Sequence, residues 1–336
     1  MQQRIEFIDL AKGLCISLVV LWHVLGLALS SDAIMIMFFF RMPLYFILSG
    51  LFFKTYNGIF PFIKKKTNKL LIPFLFIFLI IVIPSIFLKC RMDEIDITAN
   101  IFWDYNKGRL ALGIDSSAWF LVCLFIVNII FYAIFLISSR NIKAISFLCI
   151  TCGLLGFLMN STGFYLPLWI DSSLTVMPFF LCGYLIRNYS NILYGNIDTK
   201  SIIVFILSAI LLLTIYYLIE KGELGSINFF YNDYGVTLLS LYLGGITGTY
   251  CVLLLAKYLK HVPVISYIGR YSIIVLLTHQ PFLFVIRNIL YKLNISQEGV
   301  ICNLSIFIVI IFVSIPTIQF CIKFLPYFFA QKDMWK

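Results

Sequence analysis

The feature that most restricts this chain is the recurrence of apolar runs about 20 residues long, the length a helix needs to cross a hydrocarbon core of ~30 Å. Ten such runs stand at approximately 10–30, 34–53, 70–89, 118–138, 142–160, 164–187, 201–220, 235–256, 265–291 and 301–325. They are continuously apolar rather than alternating, which disfavours a transmembrane barrel. A chain of 336 residues with 62% hydrophobic residues, 12% charged residues and a mean hydropathy of +1.01 cannot clothe a soluble core in polar surface. The expected fold is an all-α polytopic membrane protein of about ten transmembrane helices. No internal repeat or Pro/Ser-rich linker divides the sequence, so a single integral-membrane domain over 1–336 is expected.

Lysine and arginine set the expected orientation, because short loops rich in them stay in the cytoplasm. With the N terminus inside, sixteen basic residues fall on cytoplasmic segments, six outside, and Lys12, Arg41 and Arg287 within spans. Both termini are therefore expected in the cytoplasm, and the protein in the inner (cytoplasmic) membrane. The net charge of +10 is explained by topology, and a nucleic-acid partner is not needed for it. The first run holds Asp9 and Lys12 and lacks a small-residue cleavage pattern after it, so it is expected to remain as the first helix.

That first run carries an unexpected polar wall. In DLAKGLCISLVVLWHVLG, Asp9 to Gly26, helical geometry sets Lys12 and His23 on one face, three turns and ~16 Å apart, with Asp9 within about 40° of the same stripe. Imidazole can take and return a proton near neutral pH, so His23 is a candidate general base as well as a structural hydrogen-bonding residue. Asp9 sits one turn before Lys12, within pairing range. In FRMPLYFILSG, Phe40 to Gly50, Arg41 enters the membrane ahead of Pro43, either as an interfacial anchor or as a functional cation; Ser49-Gly50 allows close helix approach. His279 in YSIIVLLTHQP is the second intramembrane histidine.

Outside the spans, FIKKKTNKLLIPF gathers Lys64, Lys65, Lys66 and Lys69. Three readings fit: a topological anchor, a contact for anionic lipid headgroups, and a docking patch for the phosphates of a soluble cofactor. No Walker or Rossmann glycine loop is present, so nucleotide recognition would rest on charge and shape. Cys149 and Cys152 have metal or redox spacing but lie in an apolar span without a neighbouring histidine, and no metal site is expected.

Six blocks in order, IEFIDLAKGLCISLVVLWH, FRMPLYFILSGLFF, KKKTNKLLIPFLF, SSAWFLVCLF, MPFFLCGYLIRN and ISYIGRYSIIVLLTHQPF, resemble the integral-membrane acyltransferase-3 family, with the nearest likeness to its fucose 4-O-acetylase-like branch. The resemblance implies a membrane O-acyltransferase that moves an acetyl or other short acyl group from acyl-coenzyme A, here acetyl-CoA, to a hydroxyl of a cell-surface or lipid-linked carbohydrate. It places a basic residue and a histidine on the first helix with ten residues between them, positions filled by Lys12 and His23. The basic residue is usually arginine there, and lysine lacks the planar fork that grips an anion in two places.

In that resemblance His23 is the general base and Arg41 or Lys12 stabilises the oxyanion or holds the donor, while Lys64, Lys65, Lys66 and Lys69 neutralise coenzyme A phosphates. Asp9, Ser49, Trp119 and His279 are candidates for the acceptor side, and the loop from Trp103 to Asp115 for stacking and binding a sugar. Trp119 is equally an interfacial belt residue. Direct attack by the sugar oxygen and an acyl-histidine intermediate both remain open. The rival class is a polysaccharide export or transport subunit, since polar residues within spans also mark substrate pathways.

Overall fold

The structure is a computed structural model, which describes residues 5–25, 32–83, 103–104, 109–110, 117–187, 195–225, 227–297 and 299–335. Most of the expected outer loop, with Lys89, Arg91, Lys107 and Asp115, lies outside the described residues. Helices dominate in this order: α1 (Glu6–Leu25), α2 (Asp32–Leu51), α3 (Ile59–Lys66), α4 (Ile72–Ile77), α5 (Trp119–Ile137), α6 (Ile142–Thr162), α7 (Ile170–Thr175), α8 (Met177–Ile186), α9 (Thr199–Glu220), α10 (Leu238–Leu259), α11 (Pro263–Arg270), α12 (Ser272–Lys292) and α13 (Val300–Phe324). Two short antiparallel ribbons are the extended structure among the described residues, so no sheet barrel exists there. Among the described residues seven helices, α1, α5, α6, α9, α10, α12 and α13, are long and apolar enough to cross a membrane. An eighth span results if Pro167–Thr175 and Met177–Ile186, bent by 52°, count as one. This is a multi-pass helical membrane protein.

Local chemistry explains the breaks. Pro73 has no N–H to continue the helical ladder, and the wide π-turn at Thr67–Leu71 stands just before it. Pro178 opens α8 and cannot extend α7, which fixes the bend at Val176. A second interruption at Tyr271 separates α11 from α12 inside the run expected at about 265–291. Glu6 and Asp9 occupy the first turn of α1, where the helix dipole favours negative charge.

The chain divides into two compact units. The first comprises Met1–Tyr45, Tyr189–Ile227 and Gly235–Phe324, the second Phe46–Asn188, Asn228–Tyr234 and Leu325–Lys336. In the first unit, α1 lies against α11 with backbones in contact. A side chain on Gly13 would collide with the Ile265 carbonyl, and one on Gly269 with the Asp9 carbonyl and the Gly13 backbone. On α10, Gly244 and Gly248 make room for Phe39 and Phe40 of α2.

The second unit uses the same device. Gly50 abuts the Phe180 carbonyl and Gly183 the Ile47 carbonyl, so the end of α2 crosses α8 without intervening side chains. Phe53 fills the space beside that crossing, with ring centroids 4.9 Å from Phe131 and 6.0 Å from Phe180. The Arg187 guanidinium donates to the Phe53 carbonyl at 2.8 Å, satisfying a backbone group just past the end of α2.

Among lipid tails helices gain nothing from the hydrophobic effect against each other, so close packing at such glycines carries their association. Gly269→Val is therefore expected to cost at least about 1–3 kcal/mol through overpacking. Gly299→Ala, with open space around the added carbon, is expected to be neutral. Thermal unfolding of both variants in detergent checks this, and equal melting temperatures would reject the crossing as the organising contact.

Candidate active site

Three of the residues singled out in the sequence meet in the first unit. His23 lies in the last turn of α1, Arg41 mid-way along α2, and His279 two turns into α12. The imidazole rings of His23 and His279 have centroids 5.1 Å apart, tilted by 43°. The Arg41 guanidinium stands over the Phe38 ring at 4.0 Å and over the Trp22 ring at 5.4 Å, and those two rings meet edge to face at 4.5 Å. Arg41 is also close enough to act electrostatically on His23.

Hydrogen bonding assigns protons to the two rings. His279 Nδ1 lies 2.9 Å from the Val275 carbonyl, one turn earlier on its own helix. A carbonyl oxygen only accepts, so neutral His279 carries its proton on Nδ1 and presents the Nε2 lone pair. That Nε2 is buried and has no hydrogen-bond partner among the described residues. The Gln280 amide nitrogen lies 3.4 Å from His23 Nδ1, a long donor contact that leaves the His23 proton on Nε2. The pair thus combines one N–H and one open lone pair.

Arg41 is 7% exposed, so its guanidinium is packed inside the protein. Its Nε and Nη1 are buried without hydrogen-bond partners among the described residues, while its own carbonyl accepts from Cys15 Sγ at 2.8 Å. Unsatisfied donors on a buried cation are costly, and such a cost is retained where an anion arrives. Arg287 Nε is likewise buried without a partner among the described residues, but its Nη2 donates to the Val24 carbonyl at 2.9 Å and caps the end of α1. That is a structural task.

The other candidates are placed elsewhere. Lys12 stands three turns from His23 along continuous α1, about 16 Å by helical rise, and its carbonyl accepts from the Tyr45 hydroxyl at 3.1 Å. The Asp9 backbone meets Gly269 at the α1–α11 crossing. In the second unit, Ser49 accepts from Asn128 Nδ2 at 3.3 Å, and Asn128, wholly buried on α5, also donates to the Leu124 carbonyl at 2.7 Å. Ser49 therefore ties α2 to α5.

Trp119 packs against Trp169 at 6.2 Å and Phe230 at 5.7 Å, and is 8% exposed. It is a core aromatic of the second unit. Behind this trio lie residues that the sequence reading passed over: Asp171, Ser172, Ser173, Thr175 and Asn232, all fully buried. Thr175 Oγ1 donates to Asn232 Oδ1 at 2.9 Å, and Asn232 Nδ2 to the Gly156 carbonyl at 3.0 Å. Their spacing in the sequence gives no clue to this meeting.

The lysine run does not stand bare. Lys65 Nζ donates to Asp333 Oδ2 at 2.7 Å, and Lys69 Nζ lies 3.9 Å from Oδ1. This hydrogen bond with Lys65, helped by the nearby lysine charges, holds the Asp333 carboxyl below its usual value. The contact is therefore present above the ordinary carboxylate range and is lost as pH falls through the lowered pKa. Burial pushes Lys66 down to about 8. Among the described residues no three His, Cys, Asp or Glu side chains converge as a metal site.

The family model described as an acyltransferase domain, that of acyltransferase-3, matches residues 5–321. The chain belongs to the acyltransferase-3 family. That match takes in His23, Arg41, His279 and the lysine run, and membership indicates a membrane acyltransferase. The comparisons with curated proteins and with solved structures find no match.

Arg41→Met keeps the length of the side chain and removes the buried, unsatisfied donors. The variant is expected to be as stable as the parent or more stable, by up to about 1–3 kcal/mol, while acyl transfer is lost. A stability loss of that size, read by thermal unfolding, would assign Arg41 to the architecture instead.

Proposed function

We propose that this acyltransferase-3 member is an O-acyltransferase of the fucose 4-O-acetylase-like kind, moving an acetyl or short acyl group from acyl-coenzyme A to a carbohydrate hydroxyl. The carbohydrate is a cell-surface or lipid-linked glycan, and the protein works in the inner membrane as a single domain of about ten spans with both termini cytoplasmic. The observation that carries the reading is the buried grouping of His23, His279 and Arg41, two proton-handling rings beside a cation with unused donors.

Acyl transfer from a thioester to an alcohol needs a base for the hydroxyl proton and positive charge for the tetrahedral oxyanion. His23 is the base. Its Nδ1 lone pair is held only by the long Gln280 contact, which an acceptor hydroxyl can replace. As that hydroxyl oxygen attacks the thioester carbonyl, its proton passes to Nδ1, and the His23 Nε2–H turns toward the open Nε2 of His279. The charge developing on the carbonyl oxygen is met by Arg41. When the C–S bond breaks, the proton on His23 returns to the departing thiolate, giving the ester and free coenzyme A.

This is direct transfer, and it leaves His23 without a covalent intermediate. Lys64, Lys65, Lys66 and Lys69 take the donor's phosphates by charge-assisted hydrogen bonds. Lys12 supports α1 from a distance.

The test is transfer of labelled acetyl from acetyl-coenzyme A into lipid-linked or polymeric glycan by the purified protein in vesicles. His23→Ala, with normal insertion, is expected to lower kcat by about 10²–10⁴-fold, the range typical of a lost general base. Equal labelling by both proteins would remove His23 as the base. Labelling by neither would shift the balance to the export reading.

A further inference from the structure

The last described stretch of the chain, residues 325–335, lies across the lysine run of the second unit, and it is held in two different ways. Its first part is fastened by rings. Phe328 stacks on Phe76 with centroids 4.5 Å apart, and Phe329, 3% exposed, meets the same ring edge-on at 5.5 Å. Its second part is fastened by polar contacts. Lys65 bonds Asp333, Lys69 bonds the Ala330 carbonyl, and the Lys64 ammonium stands 5.8 Å from the centre of the Trp335 ring. Asn68, 1% exposed, brackets the Trp335 backbone, donating to its carbonyl at 2.8 Å and accepting from its N–H at 2.8 Å.

We propose that the lysine run is a phosphate-binding site covered by the chain's own Asp333, whose carboxylate stands where a phosphate of the incoming ligand sits. Binding exchanges the polar contacts of residues 330–335 for phosphate contacts, while Phe328 and Phe329 keep the segment attached. The inference rests on the reading above that these lysines meet the donor's phosphates, and it adds how access to them is regulated.

Three observations support a cover that moves. The Lys65 and Asp333 side chains are 35% and 37% exposed, and ion pairs this open to solvent are weak. A carboxylate brings one negative charge to a run of four lysines, whereas a phosphate brings up to two and three acceptor oxygens. Finally, the ring anchor and the polar clasp occupy separate parts of the segment, so the clasp can open without unpacking Phe329. Asn68 then remains as a buried amide next to the emptied position, ready to bond a phosphate oxygen.

The measurement is hydrogen exchange at the Trp335 amide of the full chain in neutral phosphatidylcholine discs, with and without coenzyme A, alongside equilibrium binding of coenzyme A. A second preparation in phosphatidylglycerol discs without coenzyme A separates a lipid headgroup from a soluble phosphate. Coenzyme A is expected to speed exchange at least five-fold. Asp333→Asn and Lys65→Gln both break the clasp and both exchange fast, yet they move affinity in opposite directions. The first binds coenzyme A about three- to ten-fold tighter, the second more weakly.

A merely structural clasp would not give that opposition. If coenzyme A opens the clasp but Asp333→Asn binds it no tighter, or if neither coenzyme A nor phosphatidylglycerol changes the exchange, the proposal is overturned. If phosphatidylglycerol opens the clasp and coenzyme A does not, the covered phosphate site stands with lipid as its ligand. In that case the donor-binding part of the proposed function is what fails.

Discussion

Everything in the first unit depends on the contact between two backbones, α1 and α11 at Gly13 and Gly269. Lipid tails are as apolar as leucine, so a helix that keeps polar groups on one wall is retained only by packing and by satisfied hydrogen bonds. The glycine crossing provides the packing. The Tyr45 hydroxyl on the Lys12 carbonyl and the Arg287 guanidinium on the Val24 carbonyl provide bonds near each end of α1. His23 is thereby fixed at the end of a helix clasped by α2 and α12. Losing the crossing would loosen the histidine, although no atom of the crossing touches it.

Against that rigid background the polar cluster is a local cost, not a source of stability. Among the described residues Arg41 and His279 leave buried nitrogen atoms without partners, while Thr175 and Asn232, equally buried in the second unit, bond to protein. The contrast is between polar groups that hold the fold together and polar groups that wait. Stacking of Arg41 over Phe38 and Trp22 offsets part of the desolvation without using the N–H groups, which in the proposed reaction meet the developing oxyanion. A strong carboxylate partner would have relieved the same cost and removed the function.

What the sequence disclosed and what it hid follow one physical line. Apolar run length reports the cost of leaving backbone groups unbonded in hydrocarbon, so each of the ten runs overlaps helical residues. The same rule made Arg41 and His23 conspicuous, since neither belongs in lipid. Periodicity within α1 placed Lys12 and His23 on one face and three turns apart, yet it could not say that His279, 256 positions later, would close over the histidine. Ser49 looked like helix packing or a substrate contact; its bond to Asn128 depends on how two helices meet. The turn at Trp169, the break at Tyr271 and the pairing of Lys65 with Asp333 are likewise products of tertiary placement, with no local pattern to announce them.

The two histidines carry the argument one step further. Were the two Nδ1 atoms bonded to the same kind of group, each ring would offer the other the same kind of nitrogen, and no proton could pass between them. The Val275 carbonyl and the Gln280 amide prevent this, because one is an acceptor and the other a donor. Each therefore selects a different tautomer for its own ring. A backbone carbonyl one turn into α12 and a side chain one residue past His279 thus decide the direction in which His23 can shed its Nε2 proton. Burial then matters for a second reason: with water kept from His279 Nε2, the proton's alternatives narrow to the neighbouring ring and the substrate. In the proposed direct transfer, a pair set up in this way returns to its starting state once the leaving thiolate is protonated.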